Sequence, residues 1–334
     1  MIPLRDELIE IDEAMSGQTL AAVVRRCLTG ASWSQAKRVI LGRHVRVNDE
    51  LCLDPARRLK LGDAVAVRRR PERLPSAFAE ELNIRHLDDH VVVVEKPAGL
   101  NTVRHPAELH WKQARRQLAP TLQDRVQWAI AARFRRKLHE LPRLRIVHRI
   151  DKETSGLVVF GRSAHAEREL GRQFRTHQVI RRYLALVPGS FSPRTIRSFL
   201  VRDRGDGRRG STSVPGMGKE AITHVEVAER LPGYTLLSCR LETGRTHQIR
   251  IHLAEAGHPV CGDKVYVHRP DGTVLPDPSG CPRLFLHATE LGFCHPATGE
   301  AMHWSMPLPD DLQSVLIRLR HGDHPDQAVP PRTP

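Results

Sequence analysis

Asp151 stands in the stretch HRIDKETSGL (residues 148–157), with Arg149 two residues before it, Lys152 directly after it and the apolar run LVVFG following. A carboxylate held among cations stays ionised at neutral pH and can act as a base or a nucleophile. An isolated Asp in such a place more often orders a turn or pairs with a neighbouring Arg, so the reading depends on what else the chain sets beside it. Three other segments put polar residues in apolar or turn-forming surroundings: EKPAGL (Glu95–Leu100, with Lys96), RRYLALVPG (Arg181–Gly189, with Tyr183) and ETGRTHQIRIHL (Glu242–Leu253). In the last, Thr243-Gly244 supplies a turn and HQIRIHLAEAG reads as a helix closed by Gly257. On it His247 and Arg250 share a face. Arg250 is placed to reach a carboxylate, and that pairing both orients the acid and keeps it ionised. Arg245, in the turn, ranks second for that pairing or else meets a phosphate. His252 lies five residues from His247 and points elsewhere, so the two do not form a metal site.

The elements that must position these residues fall into two blocks. TLAAVVRRCLTG reads as a short helix with Thr19 as N-cap and Gly30 past its end, and SWSQAKRVILGR as a second helix closed by Gly42. The strand-like runs HVRVND and AVAVRRR follow, with a Gly62-Asp63 turn between them. The polar positions of this unit are basic: Lys37, Arg38, Arg43, Arg46, Arg57, Arg58 and Lys60. It resembles the small S-four RNA-binding domain over residues 16–70, which makes Lys37, Arg38, Arg43 and Arg46 expected RNA contacts. Residues 71–82 read as a Pro-containing linker. From residue 83 to 319 strand and helix patterns alternate, and the Pro-rich 320–334 reads as a flexible tail. Within the second block, 107–141 is a basic helical stretch. Val126, Ile130, Phe134, Leu138 and Leu141 recur at helical spacing, with Arg125, Arg133, Arg135, Arg136 and Lys137 turned elsewhere. It is either a solvated surface helix or a substrate-contacting arm.

The 334 residues suffice for two domains, and 52 Lys and Arg against 38 Asp and Glu give a formal charge of +14. That excess points to a polyanionic partner. No apolar run reaches the length of a membrane span. The acidic start MIPLRDELIEID reads as neither a secretory signal nor a transit peptide. The six cysteines are scattered with no C-x-x-C pair, so no disulfide framework or zinc site is indicated; a reduced, cytoplasmic setting is expected.

Three tempting motifs fail on context. GDGRRG (Gly205–Gly210) follows no strand and opens no helix, so it reads as a basic loop and not a dinucleotide turn. HRID is close to the kinase H-R-D loop, but Ile150 displaces the Asp and no glycine-rich loop or D-F-G accompanies it. DKET lacks the second Asp that aspartyl-phosphate enzymes use to hold magnesium.

HRIDKETSGLVVFGRS is similar to the H-R-L-D-x-x-T-S-G signature of the RluA family of pseudouridine synthases. EKPAGL resembles that family's N-K-P-x-G segment with Glu95 in the Asn place. RRYLALVPG, GKEAIT, TGRTHQIRIHLAEAGHPVCGDKVYV and RLFLHATELGFCHPATGE are similar to further family blocks, in order from about Ile84 to Leu312. The resemblance implies an α+β fold: a small N-terminal RNA-binding domain, then a catalytic domain on a mostly antiparallel mixed sheet flanked by helices. It implies that Asp151 is the nucleophile or base that isomerises uridine, that Tyr183 packs on the uracil and helps remove the C5 proton, and that Arg250 pairs with Asp151. Arg149 would occupy the gap left by a flipped base. His148, Arg245, His247 and Lys96 are further expected RNA contacts. Neither cofactor nor metal is required by this chemistry. The expected partner is RNA, large-subunit ribosomal RNA before tRNA, acted on by a monomer. A non-catalytic RNA-binding or ribosome-assembly factor on the same scaffold is the rival; it predicts damage at the Asp, Tyr or Arg positions, all of which are intact.

Overall fold

The computed structural model describes residues 5–28, 30–71, 82–108, 119–204, 207–267, 273–274 and 277–322. The chain divides into two compact units, Met1–Glu81 with His105–Pro120, and Leu82–Arg104 with Thr121–Pro334. The expected linker (71–82) and tail (320–334) fall almost wholly outside the described residues.

In the first unit, helix α1 (Leu20–Cys27) starts where Thr19 accepts from the Ala22 N–H, and α2 (Trp33–Leu41) starts on a Ser32/Gln35 capping box. Both helices bury one stripe, Leu20, Val23, Val24, Ala36 and Ile40, against a four-stranded antiparallel sheet. That sheet has β2 (Val45–Val47) and β3 (Glu50–Leu51) joined by Asn48-Asp49, both at positive φ as a tight hairpin turn requires. Its other strands are β4 (Ala64–Val67) and β1 (Glu7–Glu10). The sheet therefore begins upstream of residue 16, because β1 pairs along the edge of β4. Lys37 and Arg38 are exposed; Arg43 and Arg46 are half-buried, and Arg46 donates to the Asp49 carbonyl of its own hairpin.

The second unit is built on an eleven-stranded mixed sheet, mostly antiparallel. Its strands are β5 (Ile84–Leu87), β6 (Val91–Lys96), β7 (Arg145–Ile146), β8 (Ser155–Gly161), β9 (Ile180–Pro188), β10 (Arg194–Val201), β11 (Gly210–Thr212), β12 (Lys219–Leu231), β13 (Tyr234–Leu241), β14 (Leu286–Cys294) and β15 (Ala301–Ser305). The valines of β6 are buried on both faces, as a central strand demands. Helices α4 (Ala164–Arg175), α5 (Gln248–Glu255) and α6 (Asp310–Arg320) flank the sheet.

Two features of this sheet position the site. β14 runs parallel to β8 and antiparallel to β9, so Ala288 has Gly156 on one side and Tyr183 on the other. A side chain at Gly156 (φ 129) would overlap the Ala288 backbone, so only glycine allows β8 to approach this closely. The start of β8, just after Asp151, is thereby held two strands from Tyr183.

Helix α3 covers Leu122–Phe134 and not the whole of 107–141; residues 109–118 lie outside the described residues. Val126 and Ile130 are buried as expected. Phe134 and Leu138 are about half exposed, because Arg135 turns left-handed (φ 51) and ends the helix before the stripe can continue.

Candidate active site

Asp151 opens a turn closed by the Thr154 N–H on its carbonyl, immediately before β8. The backbone on either side of it is clamped. Thr102 donates its hydroxyl to the Ile150 carbonyl (2.7 Å) and accepts the Ile150 N–H (3.3 Å). Lys96 donates to the carbonyls of Pro97 (2.8 Å), Leu100 (2.8 Å) and Lys152 (2.9 Å). Lys96 is thus fully sealed from solvent and is not an RNA contact: all three ammonium protons are spent on backbone oxygens. Burial pushes it down to about 7, against the pull of Asp151 and Glu153.

The side chain of Asp151 is 16% exposed. Among the described residues no protein donor lies within hydrogen-bonding distance of its carboxylate; its nearest ionic neighbour is His247, whose Nε2 is 4.0 Å from Oδ1. A carboxylate that is ordered through its backbone yet unencumbered at its oxygens is available to a substrate. Asp151 lines a pocket with His148, Arg149, Arg181, Tyr183, Arg245, His247 and Arg250. The pocket is a cleft of about 600 Å³ counted together with its open mouth.

Tyr183, buried on β9, has its phenol pushed up to about 12 by burial. It therefore keeps its proton at neutral pH. Two residues earlier on the same strand face, Arg181 is 7% exposed and donates to the carbonyls of Glu242 (2.7 Å) and Leu241 (3.4 Å). It also lies over the Phe174 ring at 5.3 Å, while its Nε has no partner among the described residues. A Cβ on Gly244 would meet the Arg181 guanidinium at 2.8 Å, so the glycine of the TGRTHQ turn makes room for it.

That turn is organised by Gln248. Its oxygen accepts from the Thr243 hydroxyl (2.8 Å) and the Arg245 N–H (3.0 Å), and its amide donates to the Ile222 carbonyl and the Thr223 hydroxyl (3.0 Å each). His247 is the N-cap of α5 and not its first turn. Arg245 is exposed and tied by Nε to the Glu220 carbonyl (2.9 Å).

Arg250 does not pair with Asp151. Its Nε and a terminal nitrogen both bond Asp263, at 2.6 and 2.8 Å. The reason is geometric: Asp263, 5% exposed and fixed by the N–H groups of Val265 and Tyr266, presents both oxygens to the guanidinium fork. Burial opposes the charge on Asp263, but Arg250 more than offsets it and holds the carboxyl below the usual range. Arg250 remains in the pocket wall as fixed positive charge. His148 is also different from expectation: its Nε2 accepts the Val159 N–H (3.0 Å) and its ring stacks on Phe174 (centroids 4.8 Å apart), so it braces β8 at the pocket edge. Arg149 is exposed at the rim. Sequence reading passed over Arg181, Thr102, Gln248, Asp263 and Tyr266. The first was legible as two positions from Tyr183 in a strand; the others owe their roles to contacts distant in the chain.

Residues 90–255 match the RNA pseudouridylate synthase family and residues 19–65 the S4 domain. The chain is 38% identical over 260 residues to the ribosomal large subunit pseudouridine synthase D of Nitrosomonas europaea, covering 76% of this chain and 70% of that one. It is 33% identical over 321 residues to the protein of that name from Vibrio cholerae, covering 93% and 94%. Among solved structures, human RNA pseudouridylate synthase domain containing 1 aligns with a TM-score of 0.52 at 25% identity, over 74% of this chain and 90% of that one. The chain belongs to the RNA pseudouridylate synthase family, with an S4 domain ahead of the catalytic one.

Proposed function

We propose that this member of the pseudouridylate synthase family isomerises uridines of large-subunit ribosomal RNA, with Asp151 as its reactive group. The observation that carries the reading is the free carboxylate of Asp151 in a pocket walled by Tyr183, Arg181 and Arg250. The RNA target rests on the relatives, which are named for the large ribosomal subunit.

The reaction breaks the bond from uracil N1 to the ribose, turns the base and joins C5 to the same carbon; the C5 proton leaves and N1 gains one. Attack on the sugar, addition to the ring and removal of a ribose proton all need a positioned carboxylate, which Asp151 supplies. The ring of Tyr183 stacks on the base. Because its phenol holds its proton, it passes a proton on as it takes one and does not act as a resident phenolate. Arg250, fixed by Asp263, and Arg181 supply positive charge where the detached uracil carries negative charge. Arg149, exposed at the rim, fills the stack that the everted base has left, and Arg245 meets a phosphate. The S4-like unit, taken as residues 16–70, docks RNA through Lys37, Arg38, Arg43 and Arg46; 83–319 forms the catalytic domain. The protein acts as a monomer in the cytoplasm, since one chain supplies every group named. Among the described residues no helix is long and apolar enough to cross a membrane.

Mapping pseudouridine in ribosomal and transfer RNA from cells with and without this protein tests the reading. Loss at large-subunit sites alone is expected; loss confined to tRNA would overturn the target, and no change would overturn the activity.

A further inference from the structure

His247 holds a left-handed backbone (φ 60), an uncommon conformation for a non-glycine residue. Its Nδ1 lies 2.8 Å from the Tyr266 hydroxyl, and the two rings meet edge to face, 5.5 Å apart at 79°. Tyr266 is fixed in turn: its N–H donates to Asp263 (3.1 Å), and the Arg250 guanidinium lies over its ring at 5.0 Å. The other ring nitrogen of His247, Nε2, faces Asp151 Oδ1. One segment, GDKVY, thus anchors Arg250 through Asp263 and His247 through Tyr266.

We propose that His247 is the positioning residue for Asp151: Tyr266 sets its tautomer so that Nε2–H points at Oδ1, which leaves the second carboxylate oxygen to the nucleotide. This rests on the pseudouridine synthase reading. On this reading the Tyr266 hydroxyl donates to the Nδ1 lone pair: burial pushes the phenol up to about 12, so at neutral pH it keeps the proton this bond needs. Burial also lowers His247 below the usual histidine value, against the pull of Asp151, so the ring is neutral and its one proton sits on Nε2. The charged groups acting on the ring are Asp151 and Asp263 on one side, Arg250 and Arg209 on the other. At 4.0 Å the pair is just too long for a hydrogen bond, and a shortening of about 1 Å on filling the pocket would make one. A reaction that needs one aimed carboxylate thus gives a reason for the strained histidine beside it.

The test compares His247→Ala, His247→Gln and His247→Gly with the wild-type chain on an RNA substrate. His247→Ala should lower kcat about 100-fold, the cost of misplacing a reacting group by an ångström, with KM and RNA affinity unchanged. His247→Gln, whose amide reaches as far as Nε2, should recover part of the loss. His247→Gly relieves the backbone, so it should fold at least as stably as the Ala variant and yet be as slow. Unchanged kcat in the Ala and Gly variants, or losses that follow Tm and not the side chain, would overturn the proposal. Nitrogen-15 histidine spectra of the wild-type chain give a readout without turnover: the proton must lie on Nε2, and an Nδ1–H ring refutes the inference. A wild-type chain that forms no pseudouridine would instead refute the activity, with the spectra still deciding the tautomer.

Discussion

Lys96 donates to the backbone carbonyl of Lys152, 56 residues away and one residue after Asp151. The lysine of the EKPAGL segment is therefore a strut for the turn that carries Asp151. Replacing it with Met keeps the length and strands three carbonyls, those of Pro97, Leu100 and Lys152. Lys96→Met should destabilise the fold by about 2–3 kcal/mol and lower kcat, since each unsatisfied buried acceptor costs about 1 kcal/mol or more. RNA affinity should not change, and a filter-binding titration in which Lys96→Met weakens binding would contradict the strut.

The imidazole of His148 is pushed down to about 3 by burial, from an ordinary value of 6.5. Between those two values the unfolded chain binds a proton that the folded chain refuses. Stability should therefore fall as pH drops through that window and be insensitive to this group above it. Urea midpoints measured from pH 7 to pH 4 should slope less steeply for His148→Asn, which does not titrate. Identical slopes would contradict a half-buried His148 kept neutral in the fold.

Tyr183→Phe keeps the ring proposed to pack on the base and removes the hydroxyl proposed to relay a proton. RNA binding should survive while kcat falls by about 100-fold or more, the usual size of a lost proton-transfer group. Full activity in the Phe variant would reduce Tyr183 to packing.

A methyl group at Gly156 overlaps the Ala288 backbone and adds strain at φ 129. Gly156→Ala should cost about 2–6 kcal/mol, the sum of overpacking and backbone strain. Thermal melts check it, and a Tm equal to wild type would show that β8 and β14 are not held as described.

Arg133, Arg135 and Arg136 are exposed around the end of α3. Changing all three to Glu should weaken RNA binding and flatten its dependence on salt, by about 0.7 in log–log slope for each phosphate that is no longer neutralised. An unchanged slope would leave α3 a solvated surface helix.

Much of this was legible in the sequence where the cause is local. The cap at Thr19, the helix closed by Gly257 and the polar blocks around Asp151, Tyr183 and Arg250 are each written in neighbouring residues. What sequence misjudged depends on partners far along the chain. Lys96 looks like a free cation until Leu100 and Lys152 surround it. Arg250 looks destined for Asp151 until Asp263, thirteen residues on, binds its Nε and one terminal nitrogen. The periodicity of 107–141 promised one long helix, and the left-handed turn at Arg135 ended it at Phe134.

The isosteric change Asp151→Asn removes the charge of the pocket carboxylate and nothing else. Pseudouridine formation by this variant, measured in a single turnover on a uridine-containing RNA, should fall by about 10⁴-fold or more, as expected for loss of an essential nucleophile or base, while the dissociation constant for that RNA stays at the wild-type value. Turnover near the wild-type rate would contradict the assignment of the chemistry to Asp151.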